Sequence, residues 1–150
     1  MPRTDRASRV VAAPPEKVFD AFVSPEALQQ WLPPEGSTGE FEHFDLRAGG
    51  SYRLRLRFES PTGKTTENSD LVHVRIVEVV PGERLVQAVD FESDDPAFAG
   101  TMLMTWQASP VPEGSRVQIV AEQVPDGISA TDHAAGLASS LENLAAYLAG

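Results

Sequence analysis

The chain has no cysteine, which excludes disulfide bonds, thiolate metal sites and cysteine nucleophiles. Cations are scarce as well: 12 lysines and arginines compare with 22 aspartates and glutamates, and the formal net charge is −10 at pH 7. A protein of that charge repels the phosphates of nucleic acids and anionic lipids. We therefore expect no nucleic-acid partner.

Long apolar runs are also missing. No stretch approaches the roughly 18 consecutive apolar residues of a membrane-spanning helix, and the first residues lack the apolar segment of a signal peptide. We expect no membrane insertion. A cytoplasmic location is the natural expectation for a chain without cysteine, because disulfides form in oxidising compartments.

The composition that is present suits a single folded domain. Hydrophobic residues make up 41% and charged residues 23% of the 150 residues, values typical of globular proteins and far from those of disordered chains. A domain of this length buries roughly 70% of the surface that its unfolded chain exposes. We expect one domain, residues 1–150, with a substantial core.

The N-terminal quarter predicts one strand and two short helices. A β-branched run that begins near Arg6 meets Pro14 and Pro15, which suit the first turn of a helix. Ser24 is then a candidate N-cap for a second helix. Both helices carry apolar residues at helical spacing.

The middle of the chain predicts strands, because apolar residues there recur at every second position. Short segments rich in glycine, proline and aspartate separate these runs and suit hairpins, so an antiparallel meander is favoured. Six strands are predicted: Glu40–Leu46, Ser51–Glu59, Leu71–Val80, Leu85–Phe91, Thr101–Ser109 and Arg116–Val124.

The last segment predicts a helix of about 20 residues. Ser129 and Asp132 form a capping arrangement, and one face carries Leu137, Leu141, Leu144 and Leu148. A curved antiparallel sheet needs one face covered, and this helix is the only element large enough. The fold class is therefore α+β: about seven strands around a long C-terminal helix, with two short helices after the first strand.

Four stretches in this order carry a family resemblance: "VVAAPPEKVFDAFVSPEALQQWLPPEG", "FDLRAGGSYRLRL", "IVEVVPGERLV" and "HAAGLASSLENLAAYL". The chain resembles the START-like (SRPBCC) superfamily of helix-grip proteins, and within it bacterial proteins related to the C-terminal domain of the activator of Hsp90 ATPase. The resemblance implies a cavity between sheet and last helix, which in many relatives holds an apolar or aromatic small molecule. It implies no single reaction.

Two positions depart from the pattern of that family. Members often have paired tryptophans where this chain has Trp31 and Leu32, and a Gly-Trp pair where it has Gly136 and Leu137. Both changes keep an apolar residue but remove bulk near the place where the family's cavity opens.

The stretch "FDLRAGGSYRLRLRF" contains four arginines and two adjacent glycines. Strand alternation sends Tyr52, Leu54, Leu56 and Phe58 to one face and the arginines to the other. The arginines are either an anion or RNA stripe or a solvated face paired with acids, and we favour the second interpretation. Gly49 and Gly50 suggest a turn with positive φ rather than a phosphate loop.

Three histidines are present, His43, His73 and His133, and no pair has helical metal-ligand spacing, so we expect no metal site and no cofactor. His133 precedes Leu137 by four residues on the apolar stripe. It is either a cavity-mouth group that binds a ligand oxygen or acts as acid or base, or a partly exposed first-turn residue beside Asp132; we favour the second.

Trp106 shares strand parity with Met102 and Met104, which indicates either an adaptable ligand-binding face or ordinary core. Asp90 could face either side of its strand. No nucleophile elbow or other catalytic constellation is visible, so enzymatic activity is left uncertain.

These observations favour a binder of an apolar or aromatic small molecule. An Hsp90-associated interaction domain and a cyclase- or hydratase-type enzyme are the alternatives, and the oligomeric state is left open. The candidate ligand-binding residues, with Trp31 near the entrance, are Trp31, Tyr52, Leu54, Met104, Trp106, His133, Leu137 and Leu141.

Overall fold

The structure, a computed structural model, describes residues 3–33, 36–59 and 68–149. Parts of two predicted loops, residues 34–35 and 60–67, lie outside the described residues. The order of elements confirms the α+β fold class. The predicted loop between Phe91 and Thr101 includes a short 3₁₀ helix, Pro96–Phe98. The other elements are β1 (Arg3–Val11), α1 (Pro15–Val23), α2 (Pro25–Trp31), β2 (Ser37–Asp45), β3 (Ser51–Phe58), β4 (Ser69–Val80), β5 (Arg84–Phe91), β6 (Met102–Val111), β7 (Gly114–Val124) and α3 (Ala130–Ala149).

All seven strands form one antiparallel sheet in the order β1-β7-β6-β5-β4-β3-β2. Strands β2 to β7 follow one another as the predicted meander, while β1 pairs with β7 at the far edge. The segment that contains α1 and α2 therefore connects the two opposite edges of the sheet.

The helices begin where their capping residues predict. Pro14 precedes α1, and Ser24 caps α2 with its Oγ accepting the Ala27 N–H at 3.3 Å. The Ser129 Oγ accepts the N–H of Asp132 at 3.0 Å, next to the first residue of α3. Each bond satisfies one of the amide donors that a helix start leaves unpaired.

Strands β6 and β7 are longer than their pattern predicts. The predicted strands end at Ser109 and begin again at Arg116, but β6 continues through Pro110 to Val111 and β7 begins at Gly114. The pairing of β6 with β5 ends at Gln107, so Pro110 lies on a part of β6 that only β7 accompanies. A proline is tolerated at such a position because no second neighbour needs its missing N–H.

Helix α3 covers the concave face of the sheet with its leucine stripe. Leu137, Leu141 and Leu144 are buried, and Leu148 is partly buried against the same core. Along its middle, α3 is bonded to the segment that follows α2: Ser140 Oγ donates to the Leu32 carbonyl at 2.7 Å, and Asn143 Nδ2 donates to the Pro33 carbonyl at 3.0 Å.

Three aromatic rings form a cluster between the short helices and the sheet. Trp31 packs edge-on against Trp106 with ring centroids 5.2 Å apart, and Phe22 lies 5.5 Å from Trp106 and 6.1 Å from Trp31. The Trp31 indole N–H donates to the Ala21 carbonyl at 2.9 Å. Edge-to-face pairs of this kind stabilise the folded state beyond the contribution of burying the rings.

The two adjacent glycines form the turn between β2 and β3, but for different reasons. Gly49 has φ +83°, as predicted. The prediction of positive φ is wrong for Gly50. Glycine is needed there for a different reason, since a Cβ would collide with the Asp45 carbonyl oxygen. Its N–H donates to the Arg47 carbonyl at 2.8 Å, which tightens the turn.

Two of the three outward arginines of β3, Arg53 and Arg55, are paired with acids, as the second interpretation predicts. Arg53 lies 3.3 Å from Glu42 and 3.0 Å from Glu92, and Arg55 lies 3.0 Å from Glu42. These carboxylates come from β2 and from the residue after β5. The stripe is therefore a cross-strand ion-pair network on the solvent face.

A second polar link joins β1 to the first turn of α3. Arg3 donates to both carboxylate oxygens of Asp5, at 2.8 and 2.9 Å, and to the Ile128 carbonyl at 2.6 Å. Asp5 Oδ2, which accepts one of these bonds from Arg3, also contacts His133 Nδ1 at 2.6 Å. The Arg3 hydrogen bond holds the pKa of the Asp5 carboxyl below its usual value, and the His133 contact lowers it further while burial opposes both.

We predict that Asp5→Asn lowers the free energy of unfolding at pH 7 by about 2 kcal/mol, the range for hydrogen bonds to a charged group. Because the folded pKa of Asp5 lies below its unfolded value near 3.8, this contribution is present above that pH and is lost as the pH falls through the folded pKa. Urea unfolding between pH 7 and pH 3 should show a shallower acid-side decline for Asp5→Asn. A decline parallel to wild type would contradict the prediction; Asp94→Asn, at an exposed acid, is the control.

We also predict that Trp31→Phe lowers the free energy of unfolding by about 2 to 3 kcal/mol, since it removes buried ring volume and leaves the Ala21 carbonyl without its donor. Urea unfolding at pH 7 measures this. The exposed ring of Tyr147 provides the control, because Tyr147→Phe should change stability by less than about 0.5 kcal/mol. Equal stabilities of the two variants would count against the role assigned to Trp31.

Candidate ligand-binding site

A cavity of about 480 Å³ lies between the inner face of the sheet and helix α3. Strands β3 to β6 supply one wall, because every second side chain of a strand points to the same face. The opposite wall comes from Leu32 and from the first half of α3. The sheet wall consists mainly of apolar side chains: Tyr52, Leu54, Leu56, Phe58, Val72, Val74, Val89, Phe91, Met102, Met104 and Trp106.

Six of the eight candidate residues meet around this cavity. The strand candidates come from β3 and β6 on the concave face, with β4 and β5 between them. The two helix candidates are one turn apart, so they share one side of α3. Their role in binding remains a proposal. The six are Tyr52, Leu54, Met104, Trp106, His133 and Leu137.

Trp31 and Leu141 lie elsewhere. The expectation that Trp31 lies near the entrance of the cavity is wrong. The residue is 0% exposed, packs behind Trp106 and is not part of the cavity lining. Leu141 is buried one turn beyond Leu137 and is likewise absent from the lining. Both residues belong to the core that supports the wall.

The two positions that depart from the family pattern both border the cavity. Leu32 and Leu137 line it, and so does Gly136. A Cβ built on Gly136 would meet nothing within 4 Å. The sequence therefore leaves space on the helix side that a larger side chain would occupy.

Two polar residues of the sheet wall were not among the candidates. Gln87 and Asp70 are each 1% exposed and face the cavity from β5 and β4. Strand alternation could have identified Gln87 from the sequence, since it occupies an inward position between Leu85 and Val89. It could not identify Asp70 as clearly, because the predicted strand begins at Leu71 whereas β4 begins at Ser69.

Tyr52 fixes the orientation of the Gln87 side chain. The Tyr52 hydroxyl donates to Gln87 Oε1 at 2.8 Å, reaching across β4 from β3 to β5. Burial raises the pKa of Tyr52, so the hydroxyl keeps its proton and acts as the donor. The amide oxygen of Gln87 is thereby used, and its Nε2 has no acceptor among the described residues.

The cavity opens near the first turn of α3. The most exposed parts of its lining are Gly127, Ser129, Asp132 and Ala135, which lie at or just before that turn. His133 also borders this opening, and the Asp5 carboxylate holds its Nδ1. His133 is thus a cavity residue with a partner on β1, whereas the favoured expectation placed it beside Asp132.

The remaining ionisable candidates lie on the outer surface. Asp90 accepts from the Thr101 hydroxyl at 2.6 Å and faces Arg75 at 3.5 Å, so it points away from the cavity. His73 approaches Glu92 at 3.4 Å, and exposed His43 approaches Ser51 at 3.1 Å. Within residues 3–33, 36–59 and 68–149, no group of three or more His, Asp or Glu could hold a metal ion.

Comparison with known proteins agrees with this architecture. The family model described as Activator of Hsp90 ATPase homolog 1-like protein matches residues 12–149. A search of curated proteins gives no match. No helix among the described residues is long and apolar enough to cross a membrane.

Solved structures share the fold over nearly the whole chain. Protein CV1439 from Chromobacterium violaceum is 36% identical, with a TM-score of 0.85 over 95% of this chain and 94% of that one. Mll3558 from Rhizobium loti is 25% identical, with a TM-score of 0.73 over 98% and 97% of the two chains. MLL2253 from Mesorhizobium loti, at 19% identity, has a TM-score of 0.76 over 98% and 97% and shows the shared fold alone.

The family match covers all but the first residues and the last one, and the resemblance inferred from the sequence is confirmed. The chain belongs to the family of Activator of Hsp90 ATPase homolog 1-like proteins, within the START-like superfamily of helix-grip folds.

Proposed function

We propose that this protein binds a small apolar or aromatic molecule in the cavity between the sheet and α3. The observation that carries the proposal is the cavity itself, which at about 480 Å³ is mostly apolar, reaches the surface and includes only a few polar groups. Ligand sites in proteins typically measure about 300 to 1,000 Å³ and have this kind of lining.

The driving force for such binding is removal of apolar ligand surface from water. About 300 Å² of buried apolar ligand surface contributes roughly 7 kcal/mol, before the cost of immobilising the ligand is subtracted. Met102 and Met104 suit this role, because an unbranched thioether adapts to ligands of different shape. Trp106 supplies a rigid ring, supported from behind by Trp31 and Phe22.

An acid–base enzyme is a second candidate, and one observation favours it. The Asp5 carboxylate holds His133 Nδ1 at 2.6 Å, which leaves Nε2 available as a base or ligand-binding group. Asp70 lines the same cavity and supplies the second titratable group that such chemistry requires. Binding is preferred because most of the cavity lining is apolar, which suits a bound molecule and supplies few groups for catalysis.

Native mass spectrometry separates a binder from an enzyme. Wild-type protein and His133→Gln would each be incubated with extract of their own cells, repurified and analysed for retained small molecules. A binder retains the same compound in both forms. Retention of a compound of different mass by His133→Gln would favour the enzyme, because the variant would hold unconverted substrate.

A chaperone-associated role rests on the family relationship alone. The described surface has only three large exposed hydrophobic side chains, Val10, Val77 and Tyr147, and they lie on three different elements. We therefore expect no effect of this protein on the ATPase rate of bacterial Hsp90. A concentration-dependent stimulation of that rate would place the chaperone role first.

We predict that Gly136→Leu abolishes binding of a neutral apolar probe such as N-phenyl-1-naphthylamine, because the new side chain occupies the cavity. Fluorescence titration of the probe, together with quenching of Trp106, measures the loss. The variant should remain folded, since replacing a mid-helix glycine favours the helix by about 0.8 kcal/mol.

The control is Ala138→Leu, which adds the same side chain to an exposed position of α3 outside the lining. Its probe affinity should equal that of wild type. Unchanged probe affinity in Gly136→Leu would show that the probe binds elsewhere and would contradict the proposed site.

A further inference from the structure

Two buried hydrogen-bond donors of the cavity lining have no acceptor. Gln87 is 1% exposed and Trp106 is 2% exposed, and neither Gln87 Nε2 nor Trp106 Nε1 finds a partner among the described residues. A buried donor left unpaired destabilises a protein by about 1 to 3 kcal/mol. Most native structures avoid such groups, so two within one cavity require an explanation.

The two donors are neighbours on the concave face of the sheet. Gln87 on β5 is opposite Met104 on β6, and Trp106 is opposite Leu85. Gln87 and Trp106 are therefore diagonal neighbours, a relationship that puts residues roughly 7 to 8 Å apart. One ligand end of modest size reaches both side chains.

The structure also shows that these two side chains act as hydrogen-bond donors. Gln87 Oε1 already accepts a bond from the Tyr52 hydroxyl, so only the N–H donors of the amide are available. The indole of Trp106 is a donor only. Both groups can thus donate to an acceptor on a ligand.

Charge limits the kind of acceptor. Among the described residues the cavity lining contains no lysine or arginine, and it contains Asp70 and Asp132. Its one histidine, His133, already contacts the Asp5 carboxylate. Burying a carboxylate or phosphate there without a cation would be strongly unfavourable. A neutral oxygen, such as that of a ketone, quinone, lactone or amide, satisfies the donors without this penalty.

We propose that the ligand of this cavity is a neutral, largely apolar molecule whose carbonyl-type oxygen accepts hydrogen bonds from Gln87 Nε2 and Trp106 Nε1. This inference rests on the proposed function, because it specifies the chemistry of the molecule that fills the same cavity. The apolar walls bind the body of the ligand, and the two donors select its oxygen-bearing end.

The test compares 9-fluorenone with fluorene, which differ mainly by the carbonyl oxygen. Isothermal titration gives both affinities for wild type and for Gln87→Met, which keeps the shape of the side chain but removes the amide. We expect the ratio of ketone to hydrocarbon affinity to fall by about tenfold in Gln87→Met, the value of a hydrogen bond to an otherwise unpaired buried donor. Gln107→Met, the same change at a residue outside the lining, should leave the ratio unchanged.

A spectroscopic measurement on wild type does not depend on the folding of any variant. The chain has two tryptophans, and the Trp31 indole N–H is already bonded to the Ala21 carbonyl. In a ¹⁵N–¹H spectrum, 9-fluorenone should move the Trp106 indole resonance downfield. Fluorene should not produce that downfield shift, and the Trp31 resonance should change little with either compound.

The possible results separate this inference from the proposal on which it rests. If neither compound binds, the proposed function and the inference both fail. If both compounds bind but the affinity ratio is the same in wild type and Gln87→Met, and the Trp106 indole resonance shows no ketone-specific shift, the cavity binds apolar molecules and the carbonyl selectivity is wrong.

Discussion

The structure depends on how helix α3 is held over the concave face of the sheet. At its N-terminal end His133 contacts Asp5 on β1, and further along Ser140 and Asn143 donate to carbonyls next to α2. Its backbone approaches β1 and α2 most closely, whereas β3 to β6 face it across the cavity. A helix attached at its first turn and near its middle in this way covers the sheet without filling the space between the two attachments, so the same contacts that complete the fold also border the cavity.

The two faces of the sheet differ in charge. On the outer face, Arg53 and Arg55 are neutralised by Glu42 and Glu92, and this network accounts for the most conspicuous sequence pattern in the chain. On the inner face the described lining has no lysine or arginine. Strand alternation produces this division, because a period of two sends neighbouring residues to opposite environments. The arginine-rich strand matters for the site through Tyr52 and Leu54, which lie between its arginines.

The fold and the sheet wall could be predicted because their signals are local. Alternation identified Tyr52, Leu54 and Trp106 as inward residues, and capping residues located the helices. Trp31 could not be assigned in the same way, since a buried ring on a short helix gives the same pattern whether it faces a cavity or packs behind its wall. The contact between His133 and Asp5 joins residues at opposite ends of the chain, and no spacing within either segment indicates it.

Stability alone does not explain the composition of the inner face. Gly136 leaves open space on a helix where alanine or leucine would favour both the helix and the packing. An apolar residue in place of Gln87 would remove an unpaired donor from the interior. The buried Tyr52 hydroxyl donates to the oxygen of that amide, and this bond both satisfies the hydroxyl and fixes the direction of the Gln87 N–H donors. Space and oriented donors therefore occur together where a packed core would have neither, which is the arrangement expected of a cavity that recognises a ligand.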